Sequence, residues 1–123
     1  MNGLILVVDD ERDLASVCQR LLTRGGWHVT TVDTRSAALD ALAAGTPPAL
    51  AIVDRHLPDG DGLDIVKVAR ARGSRVIVIS SHTSMADRDR TLAEGAAAFL
   101  GKPFSVRQFL DVVRAVAGDP PAA

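Results

Sequence analysis

The sequence predicts an α/β fold in which a parallel sheet is covered by helices on both faces. Three observations carry that prediction. Five short apolar or β-branched segments alternate with five helix-patterned segments along 123 residues. Two of the short segments, at 4–8 and 49–53, are continuous apolar runs, as expected of strands buried on both faces. The length suits one domain, and a 47% apolar composition can fill a core of ordinary size.

Leu4-Ile5-Leu6-Val7-Val8 is the first strand. Leu14, Val17, Cys18, Leu21 and Leu22 recur at helical spacing, and Gly25-Gly26 ends that helix. Trp27 to Val32 is short and β-branched, the second strand. Thr34 can cap a helix carrying Ala38, Leu39, Leu42 and Ala43, which Gly45 and Pro47-Pro48 stop. Ala49 to Val53 is the third strand, and a loop follows. Leu63, Val66 and Ala69 mark a helix ending at Gly73, and Val76 to Ile79 is the fourth strand. Residues 84–94 are helical by composition, but Met85, Leu92 and Ala93 give them a thin apolar face. Ala97 to Leu100 is a fifth strand. Ser105 can cap a last helix carrying Val106, Phe109, Leu110, Val113 and Val116. The domain is expected over 1–118, with 119–123 as a tail.

Fourteen basic residues against 15 acidic ones leave a net charge of −1, which argues against a broad nucleic-acid footprint. The single cysteine, Cys18, excludes an internal disulfide and reads as a small apolar filler. No stretch approaches the roughly 20 apolar residues of a membrane span. Met1-Asn2-Gly3 lacks a basic leader, so a cytoplasmic protein is expected. All the basic residues but Lys67 and Lys102 are arginine, so a site that needs a lysine has two candidates.

In open parallel sheets, ligands collect beyond the C-terminal strand ends. The first strand ends in Asp9-Asp10-Glu11, the third in Asp54, the fourth in Ser80-Ser81, and the fifth runs into Gly101-Lys102-Pro103. Taken alone, Asp54 reads as a turn residue, a metal ligand or a group in covalent chemistry. Carboxylates brought together need a cation, and an oxygen-rich set suits Mg²⁺. A lysine and a serine opposite can hold phosphoryl oxygens, and a carboxylate can itself be the nucleophile. The assembled set suits phosphoryl transfer onto Asp54. Of the three successive acids, Glu11 is expected to complement the first turn of the following helix.

These pieces resemble the response-regulator receiver domain of the two-component signalling family. The resemblance rests on Val7-Val8-Asp9-Asp10-Glu11, on Val53-Asp54 with Leu57-Pro58-Asp59-Gly60-Asp61-Gly62, on Ile79-Ser80-Ser81, and on Gly95-Ala96 leading to Phe99-Leu100-Gly101-Lys102-Pro103-Phe104. It implies a flavodoxin-like three-layer α/β/α fold, with strand order 2-1-3-4-5. It implies that Asp54 accepts phosphate from a sensor histidine kinase or phosphotransfer protein. Mg²⁺ would be held by Asp10 and Asp54, by Asp9 largely through water, and by the backbone carbonyl of His56. Ser80 and Lys102 would bind the phosphoryl group, Phe99 would be the aromatic that turns inward, and the Lys102-Pro103 bond would be cis. His56 and His82 occupy the two positions that tune phosphate lifetime in the family, or are solvated loop residues.

Phe99 lacks the hydroxyl of the tyrosine frequent there, so a switch at that point works by packing. Ala96-Ala97-Ala98 lacks acids that transcription-factor receivers often carry, which weakens the case for a salt-bridged dimer on the fourth helix, fifth strand and fifth helix. A phosphorylation-dependent homodimer stays open. The downstream partner is expected to be a protein. The chain is expected to carry no output domain, either as a stand-alone receiver or as one piece of a longer protein. Two alternatives compete: a receiver-fold binding module not controlled by phosphate, and an aspartyl-phosphate phosphatase. The latter wants D-x-D at its nucleophile, where this chain has His56. The glycines of Asp59-Gly60-Asp61-Gly62 are expected to give the loop backbone freedom. The thin face of 84–94 points to this helix and Phe99 as the mobile output surface.

Overall fold

The computed structural model describes residues 2–121; the last two residues of the expected tail lie outside that range. Along the chain it holds β1 (Leu4–Val8), α1 (Arg12–Arg24), β2 (His28–Val32), α2 (Arg35–Ala43), β3 (Leu50–Asp54), β4 (His56–Leu57), β5 (Gly60–Asp61), α3 (Leu63–Ala71), β6 (Arg75–Ser80), α4 (Met85–Ala93), β7 (Ala98–Gly101) and α5 (Val106–Ala117). Five strands form one parallel sheet in the order β2-β1-β3-β6-β7, which is the order 2-1-3-4-5 among the sheet strands. The expected loop after Asp54 holds a small antiparallel hairpin, β4 with β5, too short for any period to show in the sequence.

Side chains leave a strand on alternate faces, and that alternation builds two cores. Ile5, Val7, Ile52, Ile77 and Ile79 face α1 and α5, where Cys18, Leu22, Phe109 and Val113 close the layer. Leu6, Val8, Ala51, Val53 and Val78 face α2 and α3, where Leu42, Leu63, Ile65 and Val66 do the same. All five residues of β3 are buried, as its unbroken apolar run requires of a central strand. Trp27, expected in the second strand, instead precedes it and fills the first core. Cys18 is buried as an apolar filler, and burial pushes its thiol up to about 11.

Helix starts follow the expected caps. The Thr34 hydroxyl accepts from the Ala37 amide at 3.0 Å. Ser105 and Gln108 form a capping box, with bonds of 3.1 and 2.8 Å. α4 is the outlier: of its residues Thr91 is buried, while Met85 is 79% exposed. No helix among the described residues is long and apolar enough to cross a membrane.

Candidate functional site

Because the five strands run parallel, their C-terminal ends share one edge, and the polar residues that follow them meet there. Asp9 extends β1 by one residue, its amide donating to Val32 O at 3.1 Å. Asp54 and Ser80 are the last residues of β3 and β6. Lys102 follows β7, and its amide donates to Ser80 O at 2.8 Å, which fixes the root of its side chain. The Lys102–Pro103 bond is cis.

Lys102 Nζ donates to Asp54 Oδ2 and to Glu11 Oε1, each at 2.8 Å, and lies 3.4 Å from Asp9 Oδ2. Carboxylate oxygens of Asp9, Glu11 and Asp54 lie within 4.8 Å of one another. Asp9 and Asp54 are 2% and 4% exposed, so both charges sit largely out of water. Asp54 Oδ1 accepts from the His56 amide at 3.1 Å, and Asp9 Oδ1 from the Glu11 amide at 2.9 Å. Asp9 Oδ2 is buried without a hydrogen-bond partner among the described residues. Burial pushes the Asp9 carboxyl up to about 6; the Glu11 amide and Lys102 oppose that shift, and the Asp54 charge adds to it. Burial works against the Lys102 charge, but its hydrogen bonds to Asp54 and Glu11 outweigh it and hold the ammonium above its usual range.

The structure redistributes the three successive acids. Asp10 is exposed, and its carboxylate does not belong to the cluster. Glu11, expected to serve the first turn of α1, stands at the N-cap without a capping hydrogen bond. The Lys102 ammonium offers it a full opposite charge, and Asp13 takes the place in the first turn.

Ser80 is fully buried, and its hydroxyl accepts from the His82 amide at 3.0 Å. Phe99 is 8% exposed, and Arg88 lies over its ring, 5.2 Å from the centroid. A cation thus contacts a residue expected to act through packing alone. His56 and His82 are exposed, with ring centroids 4.2 Å apart.

The loop after Asp54 is held from several sides. Asp59 accepts from the amides of Ser36 at 2.9 Å and Arg35 at 2.7 Å at the start of α2, and these bonds lower its carboxyl. Asp61 Oδ1 accepts from the Leu63 amide at 2.9 Å. Gly62 corrects the expected reason for its glycine. Its φ of −60° is open to any residue, so what the site needs there is space. A Cβ on Gly62 would stand 2.2 Å from Asp54 O.

Arg55 is the residue the sequence reading missed. An arginine beside Asp54 in a polar stretch reads as solvated, yet its side chain is 8% exposed. It lies 3.1 Å from Asp87 and 3.7 Å from Asp61.

Residues 5–114 match the response regulator receiver domain family. The chain belongs to that family. Among curated relatives of this receiver domain, the transcriptional regulatory protein KdpE of Mycobacterium tuberculosis is 38% identical over 113 residues, covering 91% of this chain and 50% of the relative. The response regulator MprA of Mycobacterium bovis is 33% identical, covering 94% and 51%. The receiver thus spans about half the length of the curated relatives it matches. Among solved structures, the beryllofluoride-activated receiver dimer of NtrC4 superposes with a TM-score of 0.81 at 33% identity, covering 94% of this chain and 96% of that one. A Burkholderia pseudomallei response regulator, described with a phosphorylated aspartic acid and a calcium ion, superposes with a TM-score of 0.82 at 26% identity, covering 94% and 66%.

Proposed function

We propose that this receiver accepts a phosphoryl group on Asp54 from a sensor histidine kinase or phosphotransfer protein, and that the modification alters a protein-binding surface. The observation that carries this reading is the setting of Asp54. It is a buried carboxylate at a strand end, with one oxygen on the His56 amide and the other 2.8 Å from Lys102 Nζ. A carboxylate oxygen of Asp54 forms the new O–P bond while the donor's P–N bond breaks, and the electron pair leaves with the imidazole, which takes a proton. Lys102 stays beside the added charge, and the Ser80 O–H remains free to donate to a phosphoryl oxygen. The exposed rings of His56 and His82 flank the site and would set how readily water reaches the acyl phosphate. The phosphorylated aspartic acid of the Burkholderia protein supports the same chemistry here.

The residues fit a divalent cation. Three carboxylates meet, and one buried oxygen of Asp9 has no hydrogen-bond partner among the described residues. Asp9, Asp54 and the His56 carbonyl would hold Mg²⁺, with Asp10 as the family pattern has it and Glu11 as the further candidate beside them. When bound, Mg²⁺ offsets the charge of the carboxylates and of the incoming phosphoryl oxygens.

A pH dependence follows. The folded Asp9 carboxyl titrates near 6 against 3.8 for an ordinary aspartate. Above pH 6 the folded chain carries an ionised Asp9 at a cost. As pH falls from about 6 to about 4, the folded state takes up a proton that the unfolded state does not, so this group makes the cation-free protein more stable. Asp59 and Asp87, whose carboxyls are lowered, lose their contribution only below that window. Asp9→Asn is therefore expected to raise the Tm of the cation-free chain at pH 7.5, where the wild-type carboxylate is ionised at a cost. It should also abolish the Mg²⁺-dependent rise in Tm. An unchanged Tm and an intact Mg²⁺ response would contradict this account.

The function is tested with acetyl phosphate. Wild-type protein should gain one phosphoryl group by intact mass, with Mg²⁺ required. No gain would overturn the reading in favour of a binding module. Turnover of a small phosphate ester by many equivalents would favour a phosphatase.

A further inference from the structure

We propose that Arg55 is a positioning residue that couples occupancy of Asp54 to the placement of α4. This rests on the reading of Asp54 as the phosphoryl acceptor.

The backbone of Arg55 belongs to the floor of the site. Its amide donates to Ile79 O at 2.9 Å, and its carbonyl accepts from the Gly62 amide at 2.7 Å. Its side chain turns away from water toward two acids on different elements. Nη1 donates to Asp87 Oδ1 at 3.1 Å, and Nε lies 3.7 Å from Asp61 Oδ1 in β5. Nε is buried and has no hydrogen-bond partner among the described residues. The guanidinium is thus held firmly on the α4 side and loosely on the hairpin side. A buried cation satisfied only in part is costly, so its bond to Asp87 weighs heavily and its hairpin side has a donor to spare.

The grip on α4 falls at a decisive place. The Asp87 carboxylate accepts from Ser84 Oγ at 2.6 Å, and the same Oγ caps α4 by accepting from the Asp87 amide at 3.1 Å. Arg55 therefore binds the capping unit of the helix. Little else holds α4: Thr91 is its buried residue, and that side chain spends its hydroxyl on Asp87 O within the helix. The neighbouring Arg88 lies over the Phe99 ring, and the C-cap residue Glu94 pairs with Lys67 of α3 at 3.5 Å. Charged contacts thus supply much of what an apolar stripe supplies to α1, α3 and α5.

Phosphorylation turns the single charge of the Asp54 carboxylate into an acyl phosphate of nearly two, so the residue next to Arg55 gains roughly one negative charge and three further oxygens. It also loads the backbone that Arg55 shares with Gly62. A shift of the hairpin changes the claim of Asp61 on the guanidinium, and Asp87 is the partner that gains or loses by it. The Arg55–Asp87 pair favours the placement of α4 seen here and so opposes any other. Removing the pair raises the population of the other placement, and so raises affinity for a ligand that favours it, by at most the factor the pair contributes.

The test uses the full chain, Mg²⁺ and beryllofluoride as the phosphoryl probe. Beryllofluoride Kd is measured by titration calorimetry, and amide hydrogen exchange is followed over 84–94. Arg55→Leu and Asp87→Asn are each expected to bind the probe about fivefold tighter. Each should also exchange faster over 84–94 without it. The double variant should bind no tighter than either single one. Asp87 is partly exposed, so Asp87→Asn keeps the test sound if Arg55→Leu fails to fold. Faster exchange with unchanged or weaker probe affinity would show a structural tie only and overturn the coupling. Wild-type protein that fails to bind the probe would overturn the acceptor reading itself.

Discussion

Asparagine in place of Asp54 is expected to abolish phosphoryl uptake from acetyl phosphate while leaving the chain folded. The substitution keeps the size of the side chain. The amide oxygen can still accept from the His56 amide, as Asp54 Oδ1 does at 3.1 Å. What disappears is the nucleophile, because an amide does not share the carboxylate's charge over two oxygens. One negative partner of Lys102 goes as well, leaving Glu11 at 2.8 Å and Asp9 at 3.4 Å to hold the ammonium. The stability change should be small. Attraction between buried charges is lost, but so is the cost of keeping the Asp54 charge out of water, and the two oppose. Intact mass after incubation with acetyl phosphate and Mg²⁺ reads the result. Uptake equal to wild type would move the acceptor elsewhere in the cluster, and Asp9 and Glu11 are the two carboxylates close enough to take its place.

What the sequence discloses of this fold follows from how parallel sheets are built. Residues 5–8 and 50–53 are buried, and as strands covered on both faces they show as unbroken apolar runs. The weak hold on α4 is legible too, since a helix whose buried residue is Thr91 cannot show an apolar stripe. Long-range polar contacts leave no such trace. Arg55 becomes a buried residue because Asp87, 32 positions later, reaches it. Asp59 caps α2, which begins 24 positions earlier, so local reading makes it a turn residue. That Glu11, and not Asp10, meets Lys102 here has a similar cause. Which of three successive acids faces the pocket depends on the turn between β1 and α1 and on where Lys102 points. Composition and spacing record neither. Which residue types gather at the strand ends could be read from the sequence, but their wiring to the rest of the molecule could not.

Alanine at Gly62 is expected to cost about 3 kcal/mol or more, as overpacking against fixed backbone does. It should also disable the site while leaving every acidic residue in place. The added Cβ would stand 2.2 Å from Asp54 O, 2.9 Å from Val53 Cγ1 and 3.0 Å from Arg55 Cα. Two of those three atoms are backbone at the end of β3, a strand buried along its whole length, so no side-chain rotation relieves the clash. Either β3 or the loop must move. Moving the loop breaks the 2.7 Å hydrogen bond from the Gly62 amide to Arg55 O and shifts the start of α3. Moving β3 displaces Asp54 from Lys102. Conformational preference plays no part, because Gly62 has φ −60°. Gly45 supplies the control. It sits at φ +61° with nothing within 4 Å of a Cβ, so alanine there meets strain of only about 1 kcal/mol. Urea unfolding of the two variants separates the causes. A far lower midpoint for Gly62→Ala, with loss of Mg²⁺-dependent beryllofluoride binding, is the outcome that close approach requires. Equal midpoints would mean that the loop yields freely, and that Asp54 is not held by the packing described here.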